Sequence, residues 1–246
     1  MTQTQSSAPQ TAKALRSDGV EARNRLLDAA LGLFAEKGFA KTSTREIALA
    51  AQINIASISY YFGDKAGLYR VVFSDPRCNP SVSPASIADA SISLREALQR
   101  VMRSFLEPLK QGQLIQHCMK LHFREMLEPT GVWQEEIDCN ITPAHGALVE
   151  VLCRHLALDT PDDDIHRLAF SISGLAVMLH IGSDVITAVR PQLLASHAAL
   201  DRYADHLVTY ALDMVEGEAR RRANFAHLSA EPASAKPSRP KNKTTT

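Results

Sequence analysis

Residues 43–65, STREIALAAQINIASISYYFGDK, predict two short helices joined by a turn. Ser43 and Glu46 have the spacing of a capping box, in which the two side chains bond each other's backbone N–H groups at a helix start. An apolar helix face follows, formed by Ile47, Ala50 and Ala51. The pattern breaks at 52–54, and a second short helix is predicted over 56–62.

The spacing within this stretch is typical of a helix-turn-helix. Ala48 lies inside the first helix, the turn at Gln52 follows four residues later, and Ile58 follows six residues after that. We expect the second helix to cross closely at Ala48, which must therefore be small, while Ile53 and Ile58 fill the angle between the helices. A helix-turn-helix places the start of its second helix in the major groove of DNA. The stretch therefore predicts a DNA-binding unit.

The apolar pattern is helical almost throughout the chain, which predicts an all-α fold. Before the quoted stretch, a helix that ends at Gly38 is predicted from Leu26, Leu27, Ala30, Leu33 and Phe34. After it, helical stretches are predicted over 94–109, 114–126, 140–156, 160–189 and 200–215. Thr160 as the cap, Pro161 at the first position and three acidic residues predict the start of the fourth of these stretches.

The predicted organisation is two domains between unstructured ends. Residues 1–18 and 228–246 are polar and aperiodic, so they cannot bury enough apolar surface to offset the entropy of ordering. Three prolines in 74–86 indicate a linker. A three-helix DNA-binding domain is therefore predicted over 19–73, and a second helical domain over 87–227.

Charge and cysteine usage bear on the partner and the compartment. Residues 1–75 carry nine Lys and Arg against seven Asp and Glu, whereas 76–215 carry eleven against seventeen. The acidic middle is a poor partner for phosphates, which leaves the ends for a nucleic-acid footprint. The N-terminus lacks a secretory signal pattern, so a cytoplasmic, nucleoid-associated protein is predicted. In that reducing compartment, free thiols are the simplest state of Cys78, Cys118, Cys139 and Cys153.

Catalytic, cofactor and metal sites are not predicted. The chain has no Gly-rich phosphate loop, G-x-S-x-G elbow or H-E-x-x-H motif. His117 and His122 are five residues apart, whereas a helical pair of metal ligands is four apart. These histidines and His180 are expected to be hydrogen-bonded core residues, or alternatively polar groups in a ligand pocket.

Residues 22–73 resemble the DNA-binding domain of TetR-family transcriptional regulators, on the strength of TSTREIA and SISYYFGDKAGLY. One departure is Gln52, which stands where glycine is usual. Tyr60 and Tyr61 are adjacent and cannot share a helix face, so one of them is expected to be half-buried. The resemblance implies DNA contacts from Thr44, Arg45, Ile55, Ala56, Ser57, Ser59, Tyr60, Tyr61 and Lys65, with Lys65 on a phosphate.

HFREMLEPTGVW at 122–133 and SISGLAV at 171–177 resemble the CecR-like subgroup of that family. The resemblance implies a homodimer on a palindromic double-stranded operator and a C-terminal domain that binds a small effector, usually to release repression. The small residues Ser171, Ser173, Gly174 and Ala176 and the last helix are candidates for the dimer face, although both helices could instead pack within one chain.

Methionine and tryptophan in the second domain suit an adaptable apolar pocket for a small hydrophobic ligand. The same residues would also make an ordinary core, in which case a protein partner would control the regulator. The residues predicted to bind the ligand are Leu98, Met102, Met119, His122, Phe123, Trp133 and Met178.

Overall fold

The computed structural model describes residues 8–78 and 83–230, and the regular elements in these two ranges are all helical. The all-α prediction is therefore confirmed. The helices are α1 Ala8–Lys41, α2 Thr44–Ala51, α3 Ala56–Phe62, α4 Lys65–Phe73, α5 Pro84–Ile87, α6 Leu94–Lys110, α7 Gln113–Leu127, α8 Trp133–Glu136, α9 Thr142–His155, α10 Asp163–Ile181, α11 Ser183–Val189 and α12 His197–Ala230. Short 3-10 turns occupy Pro76–Cys78 and Pro191–Leu193, and a π-helical turn occupies Ile137–Ile141.

The apolar faces of α1 to α4 meet in an N-terminal core. The helix predicted to end at Gly38 does break there, because Gly38 has φ 79° and ψ 168° inside the helical run of α1. The core is formed by Leu26, Leu27, Ala30, Leu31, Phe34, Ala35, Ile47, Ala48, Ala51, Ile58, Phe62, Leu68, Tyr69, Val72 and Phe73, together with Cys78, Cys118 and Leu121.

Helix α7 completes the N-terminal core, although the sequence places it in the second predicted domain. Its residues Cys118 and Leu121 are fully buried among side chains of α1 and α4. Trp133, which begins α8, packs on the same core from its edge. The helix-turn-helix unit therefore does not enclose its own core, and the linker predicted at 74–86 does not separate two independently packed bodies.

The C-terminal core lies between α5, α6, α9, α10 and α12. Its buried members include Leu98, Met102, Leu106, Leu148, Leu152, Ile165, Ile172, Leu179, Leu207, Ala211 and Val215. This arrangement confirms the helical stretches predicted downstream of residue 94.

Two details of α10 differ from the prediction. Its cap is Asp162 and not Thr160, because a carboxyl oxygen of Asp162 accepts hydrogen bonds from the N–H groups of Asp164 and Ile165. The helix also stops at Gly182, where the chain bends by 70° into α11. No single helix in the described ranges is long and apolar enough to cross a membrane, although α10 and α11 pass that test by length and composition as a bent pair.

The ends differ from the prediction where they are described. Helix α1 already begins at Ala8, within the stretch 1–18 that was predicted to be unstructured, and α12 continues to Ala230. The remaining predicted tails, 1–7 and 231–246, and residues 79–82 of the predicted linker lie outside the described residues.

The prediction of four free thiols is wrong for two of them. Cys78 and Cys118 form a disulfide across 40 residues of sequence, with their Cα atoms 5.0 Å apart. Cys139 is free and exposed, and Cys153 is free and half-buried. The sequence does not reveal this disulfide, because the two cysteines become neighbours only when α7 packs against the turn that follows α4.

Candidate nucleic-acid interface

The helix-turn-helix has the packing predicted from its spacing. Ala48 is buried in the N-terminal core, and Ile58 and Phe62 turn the inner face of α3 into the same core. The start of α3 is held by Asn54, whose side-chain oxygen accepts a hydrogen bond from the backbone N–H of Ala56 at 2.9 Å. The opposite face of α3 is consequently exposed and fixed in orientation.

The turn between the helices requires an unusual backbone conformation. Gln52 has φ 56° and ψ 42°, which is the left-handed region, and its N–H bonds the carbonyl groups of Ala48 and Leu49. This is the position where the resemblance leads one to expect glycine, because glycine adopts positive φ without a steric penalty from Cβ.

Replacing Gln52 by glycine should therefore stabilise the protein. Relief of the left-handed penalty is expected to raise the free energy of unfolding by about 0.5–1 kcal/mol, reduced by the added entropy of the unfolded glycine. Urea denaturation of Gln52→Gly and of wild type measures this difference in the free energy of unfolding. Asn54→Gly, at a position outside the left-handed region, is the matched control and should not stabilise. A destabilised Gln52→Gly would contradict the interpretation.

The predicted capping box at the start of α2 is present. The Ser43 hydroxyl accepts a hydrogen bond from the Glu46 N–H at 3.2 Å, and the Ser43 N–H donates to the Glu46 carboxyl group at 2.9 Å. These bonds and the ammonium of Lys37 lower the pKa of Glu46 to about 2. The box fixes the first turn of α2, where Thr44 is half-buried and Arg45 is exposed.

The two tyrosines at the end of α3 have different environments, as predicted. Tyr60 is 82% exposed, whereas Tyr61 is half-buried and packs against the N-terminal core. Their rings meet edge to face with centroids 4.9 Å apart. The exposed hydroxyl of Tyr60 is therefore the one best placed to meet a partner. Ile55, Ala56 and Ser59 are also exposed, and Ser57 is half-buried.

Lys65 has a structural use that the sequence did not reveal. Its ammonium donates hydrogen bonds to the carbonyl groups of Phe39 at 2.8 Å and Thr42 at 2.9 Å, and it lies 4.3 Å from the centre of the Phe39 ring. An ammonium has three N–H donors, so one remains for another acceptor. The phosphate contact of Lys65 stays a prediction, made by a side chain that also ties α4 to the end of α1.

A second set of polar contacts joins this unit to α7. The buried Tyr69 hydroxyl of α4 donates to the carboxyl group of Glu125 at 2.7 Å. The other Glu125 oxygen accepts from the N–H of Thr130 at 2.6 Å and from its hydroxyl at 3.1 Å. Glu125 is 0% exposed, so these hydrogen bonds replace the water that its carboxyl group would otherwise bind.

The neighbouring Arg124 reaches α1 instead. Its guanidinium donates to the carbonyl groups of Ala35 and Glu36, both at 3.3 Å. Sequence reasoning did not assign a role to Arg124 or Glu125. The sequence signal for these two residues is their place in HFREMLEPTGVW, the segment that carries the resemblance to the CecR-like subgroup. We call the contacts of Tyr69, Arg124 and Glu125 the α7 joint.

The seven residues predicted to bind a ligand are distributed over two cores and the surface. Leu98 and Met102 are fully buried in the C-terminal core, Trp133 packs on the N-terminal core, and Met178 is half exposed on α10. The remaining three, Met119, His122 and Phe123, are half-buried on α7.

The histidines near these residues have partners, as expected for core histidines. His122 bonds the Cys118 carbonyl at 2.9 Å and stacks on Phe73. His180 bonds the Phe105 carbonyl at 2.8 Å and stacks on Phe123, and burial lowers its pKa.

Two surface clefts lie against α1. One, of about 680 Å³, runs between α1 and α7 and is lined by Gly32, Leu33, Leu114 and His117 with charged residues at its rim. The other, of about 440 Å³, lies between α1 and the turn after α4. Neither cleft is lined by any of the seven predicted ligand residues.

An apolar stripe runs along the outer side of α10. Phe170, Gly174, Met178 and Ile181 recur at three- and four-residue spacing, and all four are exposed. A Cβ atom added at Gly174 would meet no atom of the described residues within 4 Å. Ser171 is exposed with them, whereas Ala176 points into the core. The stripe leaves a flat apolar face on which another helix could lie closely.

Comparison with known families gives two matches that together span most of the chain. The model for the bacterial regulatory proteins of the tetR family matches residues 26–72. The model for the C-terminal domain of the HTH-type transcriptional dual regulator CecR matches residues 94–214.

Individual proteins are similar over much of their length. The HTH-type transcriptional dual regulator CecR of Shigella flexneri is 29% identical over 184 residues, which is 70% of this chain and 82% of the relative. The structure of NalD, the secondary repressor of the MexAB-OprM multidrug efflux pump in Pseudomonas aeruginosa, has a TM-score of 0.53 at 20% identity, covering 80% of this chain and 97% of that one. The SmeT–triclosan complex has a TM-score of 0.52 at 18% identity, covering 78% and 90%.

Proposed function

We propose, given that this chain belongs to the TetR family of transcriptional regulators and has a CecR-type C-terminal domain, that it represses transcription as a homodimer on a palindromic operator and is released by a small hydrophobic ligand. The proteins it matches are regulators of transcription and not enzymes. Its place of action is the cytoplasm, on the nucleoid.

The observation that carries the DNA-binding proposal is the outer face of α3. Ile58 and Phe62 anchor one side of this helix in the core, and Tyr60 lies exposed on the opposite side. Ile55, the residue that precedes the helix, is also exposed. A short, rigid helix with an exposed face is the element that a helix-turn-helix inserts into the major groove. We assign base contacts to Ile55, Ala56 and Ser57, and backbone contacts to Thr44, Arg45, Tyr60 and Lys65. Ser59 and Tyr61 complete the predicted interface beside them, with the Tyr61 ring packed against the protein.

Removing one tyrosine hydroxyl at a time should separate the two aromatic positions. Tyr60→Phe is expected to weaken operator binding by about 1 kcal/mol per protomer, because the exposed hydroxyl loses a hydrogen bond to phosphate. Tyr61→Phe is the matched control and should change affinity little, since that ring is half-buried in the protein. Fluorescence anisotropy with a labelled operator measures both. Equal losses would contradict the assignment.

The repressor proposal draws on relatives. NalD is described as a repressor, and SmeT has been solved with triclosan, a small hydrophobic compound. If a ligand also releases this chain from DNA, the ligand must bind two conformations with different affinity. It must favour the conformation whose two α3 helices are wrongly spaced for DNA over the DNA-binding conformation by a few kcal/mol. The seven predicted residues of the second domain, and the cleft between α1 and α7, are the places to look for the effector.

A second candidate has support from the filled C-terminal core. Leu98 and Met102 are fully buried there, which favours a regulator controlled by a protein partner rather than by a small ligand. The fluorescence of Trp133, the one tryptophan of the chain, distinguishes the candidates. A panel of hydrophobic compounds that changes neither this signal nor operator binding would favour the partner.

The function itself is tested by mapping the DNA that the protein occupies in its native genome, with and without candidate ligands. Sites with an inverted repeat near promoters, and higher transcription of the adjacent genes after deletion of the regulator, are the expected result. Lower transcription at those genes would overturn repression while leaving the DNA-binding assignment intact.

A further inference from the structure

The disulfide between Cys78 and Cys118 joins the DNA-binding unit to the second predicted domain. Cys78 ends the 3-10 turn that follows α4, and Cys118 lies in the middle of α7. Both residues belong to the N-terminal core, where they are 3% and 0% exposed. The disulfide is therefore buried and joins the turn after α4 to α7 inside the N-terminal core.

A disulfide is unusual in the compartment where a DNA-binding protein works. The bacterial cytoplasm keeps thiols reduced, and disulfides that form there are usually transient, catalytic or redox-sensing. This step rests on the proposed place of action. The two sulfur atoms are close enough to bond, so the pair can exist as two thiols or as one disulfide according to the oxidants present.

The position of the bridge connects its redox state with the orientation of α3. Helix α7 already contacts α4 through Tyr69 and Glu125, and α1 through Arg124. A rearrangement of the second domain that moves α7 can therefore reach the DNA-binding helices through this joint. Hydrogen bonds and apolar contacts between α7 and α4 can break when the helices move. A disulfide between α7 and the turn after α4 instead fixes the relative position of these two elements.

We propose that Cys78 and Cys118 form a thiol–disulfide switch by which peroxides change the affinity of the protein for DNA. The sulfur of Cys78, the less buried of the two, attacks the O–O bond of a peroxide, becomes a sulfenic acid and releases an alcohol, or water when the oxidant is hydrogen peroxide. The thiol of Cys118 then attacks that sulfur and expels water. Two thiols lose two electrons and two protons, and the peroxide is reduced; a cellular dithiol reverses the step.

The test uses the full chain with the other two cysteines removed. Cys139 is exposed and would compete for oxidant, and Cys153 is a second free thiol that would be counted together with the pair. The Cys139→Ser, Cys153→Ser variant is purified in dithiothreitol, and a DNA duplex is selected with it from a random pool. Its thiols are then counted and its Kd for that duplex measured before hydrogen peroxide, after it, and after renewed dithiothreitol.

The expected result is a fall from two thiols to none, a change in Kd of at least fivefold, and full reversal by dithiothreitol. In the same background, Cys78→Ala and Cys118→Ala should each have an unchanged Kd before hydrogen peroxide, after it, and after renewed dithiothreitol. Two variants are used so that a folding defect in one of them does not decide the test. Circular dichroism measures the helical content of each variant.

Equal Kd values for the reduced and bridged protein would overturn the proposal, and so would two thiols that persist in peroxide. A change in Kd that also occurs in the alanine variants would overturn it as well. Failure of the reduced protein to select any duplex is a separate outcome: it overturns the proposed function, and the affinity switch with it, before any oxidation step.

Discussion

Phe170→Glu and Gly174→Glu are each expected to convert the proposed homodimer into monomers that bind the operator roughly 10²- to 10⁴-fold more weakly. Both residues lie on the exposed stripe of α10, and nothing in the described chain occupies the space in front of Gly174. A carboxylate in an apolar helix–helix contact loses its hydration without gaining a partner. The loss in affinity is large because two linked half-sites bind far better than one.

Light scattering and operator titration on the same samples test this prediction. Leu127→Glu is the matched control, since Leu127 is an equally exposed apolar residue at the end of α7, away from the stripe. Leu207 on α12 is unsuitable because it is buried in the C-terminal core of one protomer, and a charge there would unfold the chain. Dimers of unchanged mass in both stripe variants would place the interface elsewhere.

Glu125→Ala is expected to destabilise the protein by about 3–5 kcal/mol, because it removes the acceptor of the buried Tyr69 hydroxyl and of two Thr130 donors and leaves a cavity. For a chain of this size, that loss lowers Tm by roughly 10 °C. Glu128→Ala is the matched control: it truncates an exposed carboxyl group of the same helix end and should change stability by less than about 0.5 kcal/mol. A Glu125→Ala protein as stable as this control would show that the α7 joint contributes nothing.

The pH dependence of stability gives an independent measure of the same contact. Burial, and then the hydrogen bond to Glu125, raise the pKa of the Tyr69 hydroxyl well above its usual value of 10.0. The unfolded chain therefore loses this proton at a lower pH than the folded protein does. The contribution of Tyr69 is fully present below about pH 10 and falls as the pH rises further. Wild type should lose more stability than Tyr69→Phe between pH 9 and 11 in urea titrations.

The helix-turn-helix could be predicted in detail because its determinants are local. The capping box at Ser43, the small residue at Ala48 and the branched residues that fill the angle all act within 20 residues of one another. The strained turn at Gln52 could also be located, since a single residue at a known spacing must take positive φ. In such a segment, propensity, capping and apolar pattern point to one structure.

The contacts that depend on α7 could not be predicted. Cys78 and Cys118 carry no sequence spacing that marks a pair, and the expected compartment argued against one. Glu125 is charged, and only the packing of α7 on α4 shows that it is buried. The division of the predicted ligand residues between two cores could not be predicted either, because periodicity assigns a residue to a helix face but does not say which core that face meets.

The way α7 completes the N-terminal core has a consequence for evolution and protein engineering. A DNA-binding head cut at the end of α4 would expose the apolar surface that Cys118 and Leu121 cover. Exchanging residues 1–78 alone between relatives would place this head on a foreign α7. We therefore expect a chimera that carries α7 with its head to fold more stably than one that exchanges the head alone.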